Sequence, residues 1–196
     1  MKIIGLTGPM ASGKTKTASF FRAEGIPVFD ADAEVHLMYG KGGEAVAAVA
    51  AAFPRAVVDG EVRRDLLSPV IIADPAALAR LEAIVHPLLR RRERAFLEAA
   101  RRRGSPLVVL DLPLLFEMGR AGDVDAIVVT TAPEPVLRRR AFERPGMSEE
   151  KYARLTAAQH PLAEKLAHAH YVIDTSRGLD YAEAQVRAII AAQGRK

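Results

Sequence analysis

A chain of 196 residues with 49% apolar composition holds one compact domain, or one domain carrying insertions, and leaves little room for two independent ones. It has no cysteine, which excludes a disulfide framework and a thiolate metal site and fits a reducing compartment. The net charge of +4 and pI near 9.6 come largely from arginines grouped at 90–94, 101–103 and 138–140, which points to a nucleic-acid surface or to sites for a small polyanion.

In chain order, Lys2–Thr7 reads as a buried strand, with Ile3, Ile4 and Leu6 around Gly5. Next comes the octet Gly8-Pro9-Met10-Ala11-Ser12-Gly13-Lys14-Thr15, which fits the pattern G-x-x-x-x-G-K-[ST]. Residues 16–23, with Ala18, Phe20 and Phe21, then read as a helix. A strand feeding a glycine loop that opens a helix wraps backbone N–H groups around a polyphosphate at the positive end of the helix dipole. In that geometry Lys14 neutralises the β- and γ-phosphates and the Thr15 hydroxyl holds magnesium.

Further apolar runs at 26–29, 107–110, 126–129 and 171–173 are near-continuous, as parallel strands covered on both faces are. Residues 34–104 read as mostly helical and are too long for a simple crossover, so the pattern predicts an α/β sheet with a helical insertion. Asp74-Pro75 signals a helix start, and Leu78, Leu81, Val85, Leu88, Leu89 and Phe96 form its expected buried stripe. Pro87 inside it predicts a kink or a freed carbonyl. Residues 148–169 and 181–192 read as two more helices. There is no secretory signal pattern and no apolar stretch of membrane-spanning length, so the expectation is a soluble cytoplasmic protein without a membrane partner. Tryptophan is absent and no aromatic residues interleave with the arginines, so base stacking on nucleic acid has little support. The sequence carries no signal for oligomeric state.

Several constellations carry chemistry. The second strand ends in Phe29-Asp30-Ala31-Asp32, and ligands of open parallel sheets bind at the carboxyl ends of the strands. For transfer of a γ-phosphoryl group to a hydroxyl, one carboxylate orients the acceptor and takes its proton. Asp32 is the candidate, against the alternative that either aspartate caps the following helix. Asp111, after four apolar residues, is placed to support magnesium or to serve as a strand-end acceptor. His86, Arg90 and Arg94 follow at four-residue intervals, a row able to hold a phosphate or to form a solvated face. Arg92 falls on the apolar stripe, where only the kink or a snorkelling stem accommodates it. Arg140 and Arg144 would share a helix face and neutralise charge developing in transfer. His36, His160, His168 and His170 have no metal-ligand spacing and read as surface or structural.

Taken together these residues resemble the dephospho-CoA kinase family over nearly the whole chain. The resemblance rests on Gly5–Thr15, Asp30-Ala31-Asp32, Asp59-Gly60 to Arg64, Leu81-Glu82-Ala83-Ile84-Val85-His86-Pro87 with Arg90, and Leu110–Glu117. Arg140, Arg144, Gln159, Lys165 and Val172-Ile173-Asp174 also fall at family positions. It implies a five-stranded parallel-sheet kinase core over 1–33, 105–138 and 168–196, a substrate-binding insertion over 34–104 and a helical lid over 139–167. It implies ATP-dependent phosphorylation of the ribose 3'-hydroxyl of dephospho-CoA, with Mg2+ and no nucleic-acid partner. The implied ATP-binding residues are Ala11, Ser12, Gly13, Lys14, Thr15, Thr17, Arg140 and Arg144. Asp32, Arg64, His86, Arg90, Leu112 and Pro113 are implied on the acceptor side, Thr15 and Asp111 at the metal, and Lys14, Asp32 and Arg140 in catalysis. Another small-molecule or nucleoside monophosphate kinase is the alternative. From a different class, the rival is a basic nucleotide-responsive protein binding nucleic acid through its arginines. The chain departs from the family at Pro9-Met10-Ala11, at Leu137 and at His170.

Overall fold

The computed structural model describes residues 1–194. Its elements run β1 (Lys2–Thr7), α1 (Lys14–Ala23), β2 (Val28–Asp30), α2 (Ala31–Tyr39), α3 (Val46–Ala52), β3 (Val57–Val58), β4 (Glu61–Val62), α4 (Arg64–Ala73) and α5 (Pro75–Arg102). They continue with β5 (Leu107–Asp111), β6 (Ala126–Thr131), α6 (Glu134–Phe142), α7 (Glu149–Ala157), α8 (Leu162–Ala167), β7 (Tyr171–Asp174) and α9 (Leu179–Gly194). The five strands expected from the sequence make one parallel sheet in the order β2-β5-β1-β6-β7. By compactness the chain falls into two units, Met1–Phe29 with the chain from Ala100 on, and Asp30–Ala99.

In the first unit, Ile4 and Leu6 of β1 lie with Val109, Val128 and Ile173 of neighbouring strands in one apolar core. The inward faces of α1 (Ala18, Phe20, Phe21) and α9 (Ala182, Val186, Ile189) complete it. Each such large side chain contributes about 1.5–3 kcal/mol by leaving water. β2 is shorter than its apolar run because Pro27 has no N–H for the ladder; its carbonyl still accepts from Val109 N–H at 2.9 Å. Among the described residues no helix is long and apolar enough to cross a membrane.

The second unit is mostly helical, with a small antiparallel hairpin that periodicity did not reveal. Val57–Val58 pairs with Glu61–Val62 across Asp59-Gly60, both at positive φ (51° and 80°). That is the two-residue turn an Asp-Gly pair favours, so the dipeptide itself was the signal. Asp74 starts α5 as expected, accepting the Ala76 N–H at 2.8 Å. The helix then runs through Pro87 as one element, with buried positions at Ala77, Leu81, Val85, Leu89 and Glu93. Leu78 belongs off this stripe; it is 39% exposed. Arg92 needs no snorkelling: its Nη1 donates to Glu34 Oε2 at 2.6 Å, and its Nε donates to Glu44, which Arg91 also engages. The hydrogen bond from Arg92, despite burial and with help from Arg91, holds the Glu44 carboxyl below the usual carboxylate range.

Two further expectations change. Residues 148–169 form two helices, α7 and α8, because His160 precedes Pro161 and that position disfavours helical backbone. Ser148 caps α7 by accepting the Lys151 N–H at 3.2 Å. Arg144 lies beyond the end of α6, so it shares no helix face with Arg140.

Candidate active site

The phosphate loop connects β1 to α1. Gly8 is required sterically: a Cβ there would lie 2.3 Å from Thr130 Oγ1 and 2.5 Å from the Thr130 carbonyl. Ala11 adopts φ 62° and Gly13 φ 83°, the left-handed region. The Ser12 N–H turns back to the Pro9 carbonyl at 3.1 Å, and the Ser12 hydroxyl shares a 2.7 Å hydrogen bond with Thr130 Oγ1. Met10 N–H donates to Gln159 Oε1 at 3.1 Å. Gly13 opens α1 without a side-chain cap, and the N–H groups of Gly13, Lys14 and Thr15 have no partner among the described residues. Unbonded donors at a helix start are the physical basis of anion binding.

Carboxyl ends of the strands surround this loop. Lys14 Nζ donates to Asp111 Oδ1 at 2.5 Å, with the carboxylate almost wholly buried. Arg140 on α6 donates through Nη1 to Thr175 Oγ1 at 2.9 Å and through Nη2 to the Thr175 carbonyl at 2.8 Å. The Thr175 hydroxyl in turn donates to the Ser12 carbonyl at 2.9 Å or to the Thr131 carbonyl at 3.1 Å. A cavity of about 230 Å³ opens beside Gly13, bounded by Lys16, Phe20, Arg140, Thr175, Gly178 and Leu179. Just before it, Asp174 accepts from the Ser176 hydroxyl and N–H, which hold its carboxyl below the usual range. Asp174 is among the family positions, but Thr130 and residues 175–179 are not singled out by the sequence. Their signal was position, as polar residues at the ends of apolar strands.

Of the other candidates in this unit, Thr17 is buried with its hydroxyl returned to the Gly13 carbonyl at 3.2 Å, while Thr15 and Arg144 are exposed. Leu112 is buried, its N–H on the Leu6 carbonyl, and the Pro113 carbonyl accepts the Thr7 hydroxyl at 3.2 Å. Glu117 Oε1 accepts from Lys165 Nζ and from His160 N–H, both at 2.8 Å. Burial pushes the Glu117 carboxyl up, but these donors together with its own N–H hold it below the usual range.

In the second unit the strand stops at Asp30, so Asp30 and Asp32 do not lie on one strand face. Asp30 caps α2, accepting the Ala33 N–H at 3.0 Å. Asp32, in the first turn, is exposed, and its carboxylate has no hydrogen-bond partner among the described residues. Arg64 lies over the Tyr39 ring, 5.5 Å from its centroid, at a cavity of about 230 Å³ that His36 and Glu61 also border. Burial raises the Tyr39 phenol, against the pull of Arg64. On α5, His86 is half-buried, and Arg90, exposed, lies 3.6 Å from the buried Glu93 carboxylate.

The dephospho-CoA kinase family model matches residues 2–181 of this chain. The chain belongs to the dephospho-CoA kinase family. It is 50% identical over 192 residues to a dephospho-CoA kinase of Rhodopseudomonas palustris strain BisB18, covering 98% of this chain and 96% of that one. Among solved structures, TT1252 from Thermus thermophilus superposes with a TM-score of 0.82 at 35% identity, covering 97% of each chain. The dephospho-CoA kinase from Campylobacter jejuni shares the fold, with a TM-score of 0.68 at 17% identity over 98% of this chain and 97% of that one.

Each departure from the dephospho-CoA kinase pattern has a place in the structure. Ala11 occupies a left-handed position that glycine adopts without strain. Leu137 is core, 6% exposed. His170 Nδ1 accepts the Ile127 N–H at 3.1 Å, so it offers the ladder end an acceptor.

Proposed function

We propose that this protein transfers the γ-phosphoryl group of ATP to the ribose 3'-hydroxyl of dephospho-CoA, giving coenzyme A and ADP, in the cytoplasm. The observation carrying this reading is the convergence of Lys14, Asp111 and Arg140 around the unbonded N–H groups of Gly13 to Thr15, in a chain of this family. Phosphoryl transfer of this kind is catalysed chiefly by positioning and charge neutralisation. Lys14, now on Asp111, and Arg140, held by Thr175, are the cations for the β- and γ-phosphates. The γ-phosphorus bond to the bridging oxygen breaks and a bond to the 3'-oxygen forms. Asp32 takes the hydroxyl proton.

The cavity beside Gly13 takes the adenosine of ATP, with Thr17 at its floor and Arg144 reaching the outer phosphates. Ala11 and Ser12 shape the loop around them. The exposed Thr15 hydroxyl and the Asp111 carboxylate suit Mg2+, which is typically held by one or two protein oxygens plus phosphates. Among the described residues no group of three acidic or histidine side chains offers it a full cage. When bound, the ion neutralises phosphate charge. The insertion carries the acceptor side, with Arg64, His86 and Arg90 for the diphosphate of dephospho-CoA; in the sheet unit Leu112 and Pro113 are the candidate contacts for the same substrate. The 139–167 segment serves as lid.

A coupled assay offering dephospho-CoA, AMP, shikimate and gluconate with ATP and magnesium tests the reading. Turnover of dephospho-CoA alone is the expected result; turnover of AMP alone overturns it.

A further inference from the structure

The break between α7 and α8 places two consecutive residues on two different segments. His160 lies between the end of α7 at Ala157 and Pro161, in non-helical backbone, and its N–H goes to Glu117 Oε1 at 2.8 Å. Gln159, one residue earlier, turns its side chain the other way, and its Oε1 accepts the Met10 N–H of the phosphate loop at 3.1 Å. Glu117 is itself pinned by Lys165 Nζ at 2.8 Å, an ammonium with no exposed surface. Lys165 and Glu117 therefore hold the 159–160 backbone by hydrogen bonds, and the Gln159 side chain on that backbone reaches the front of the loop.

The front of this loop is where restraint is most needed. Pro9 has no N–H, the Ser12 N–H is consumed by the Pro9 carbonyl, and Ala11 holds a left-handed backbone that an L-residue resists. The Ser12 N–H closes the turn from within, and among the described residues the Met10 N–H is the backbone donor between Pro9 and Ser12 that ties this turn to a segment outside the loop. We propose that Gln159 is a positioning residue for nucleotide binding, holding the phosphate loop open in its anion-binding shape through the Met10 N–H. This rests on the reading of the loop as the ATP site. Gln159 touches no phosphate in this arrangement; it acts through Met10.

The test titrates Mg-ATP calorimetrically onto the intact protein and onto Gln159→Met and Gln159→Ala, both lacking the acceptor, alongside steady-state kinetics and hydrogen exchange of the loop amides. Loss of one loop-setting hydrogen bond is expected to weaken the ATP Kd about tenfold. KM for ATP should rise with it, KM for dephospho-CoA should stay within about twofold, and Met10 should exchange faster. The half-buried position predicts melting temperatures near that of the parent. An unchanged ATP Kd, or equal rises in both KM values, overturns the proposal. So does a large drop in melting temperature in both variants with ATP affinity retained in the folded fraction. If the unmodified protein itself binds no ATP, it is the loop reading that fails; if it binds ATP but does not turn over dephospho-CoA, only the acceptor assignment fails.

Discussion

Lys14 and Asp111 stand 97 residues apart in sequence and are joined by a 2.5 Å hydrogen bond at the mouth of the phosphate loop. The carboxylate holds the ammonium at the end of β5, close to where the loop's N–H groups converge. Lys14→Ala is therefore expected to lower turnover by at least the roughly 10^2 to 10^3 lost with one transition-state donor. The circular dichroism spectrum should be unchanged, because Lys14 contributes nothing to the apolar core. Near-normal kcat in this variant would end its assignment.

Arg90 and Arg92, two residues apart on α5, should separate function from stability. Arg92 joins Glu34 and Glu44, so Arg92→Met leaves two half-buried carboxylates unpaired by it and should cost about 1–2 kcal/mol in chemical denaturation. Arg90 is exposed, and Arg90→Ala should instead raise KM for dephospho-CoA more than KM for ATP. Equal effects on the two substrates would make Arg90 a structural residue.

Ala11 at φ 62° sets up a pair of opposite substitutions. Ala11→Gly relieves about 1–2 kcal/mol of left-handed strain and gives back part of it in unfolded-chain entropy, so the melting temperature should hold or rise. Ala11→Val, branched at Cβ, should lower it by several degrees and weaken ATP binding. A marked loss of stability in Ala11→Gly would contradict this account of the loop.

The Glu117–Lys165 pair predicts acid sensitivity. The folded-state pKa of Glu117 lies below its ordinary value of 4.5, so its contribution is fully present above that pH and is lost as pH falls through the depressed value. Thermal melts from pH 6 downward should show stability falling below about pH 4.5. In Glu117→Gln the slope of that loss should be shallower, since the titrating group is gone. An unchanged slope would remove Glu117 from the acid response.

Much of this molecule is legible locally. The five apolar runs became the five parallel strands, and Asp74-Pro75 started α5, because burial on both faces and helix capping leave marks within a few consecutive residues. The differences are local in origin as well. The buried stripe of α5 takes in Ala77 rather than Leu78 beside Leu81, one helical step away, and Pro161 divides 148–169 into two helices. For the Asp30/Asp32 pair the capping alternative holds at Asp30, since α2 begins at Ala31 and Asp30 accepts the Ala33 N–H.

By itself, then, the sequence determined the loop Gly8–Thr15 with its flanking strand and helix, and the family pattern around it, since those signals lie in contiguous residues. Only the tertiary structure decided which partners complete that loop: Gln159 for the Met10 N–H across 149 positions, and Thr175 for the Ser12 carbonyl across 163. Periodicity and capping act over a few residues, whereas a hydrogen bond needs only that two groups meet in space. The packing of the sheet and helices is what brings these to within about 3 Å.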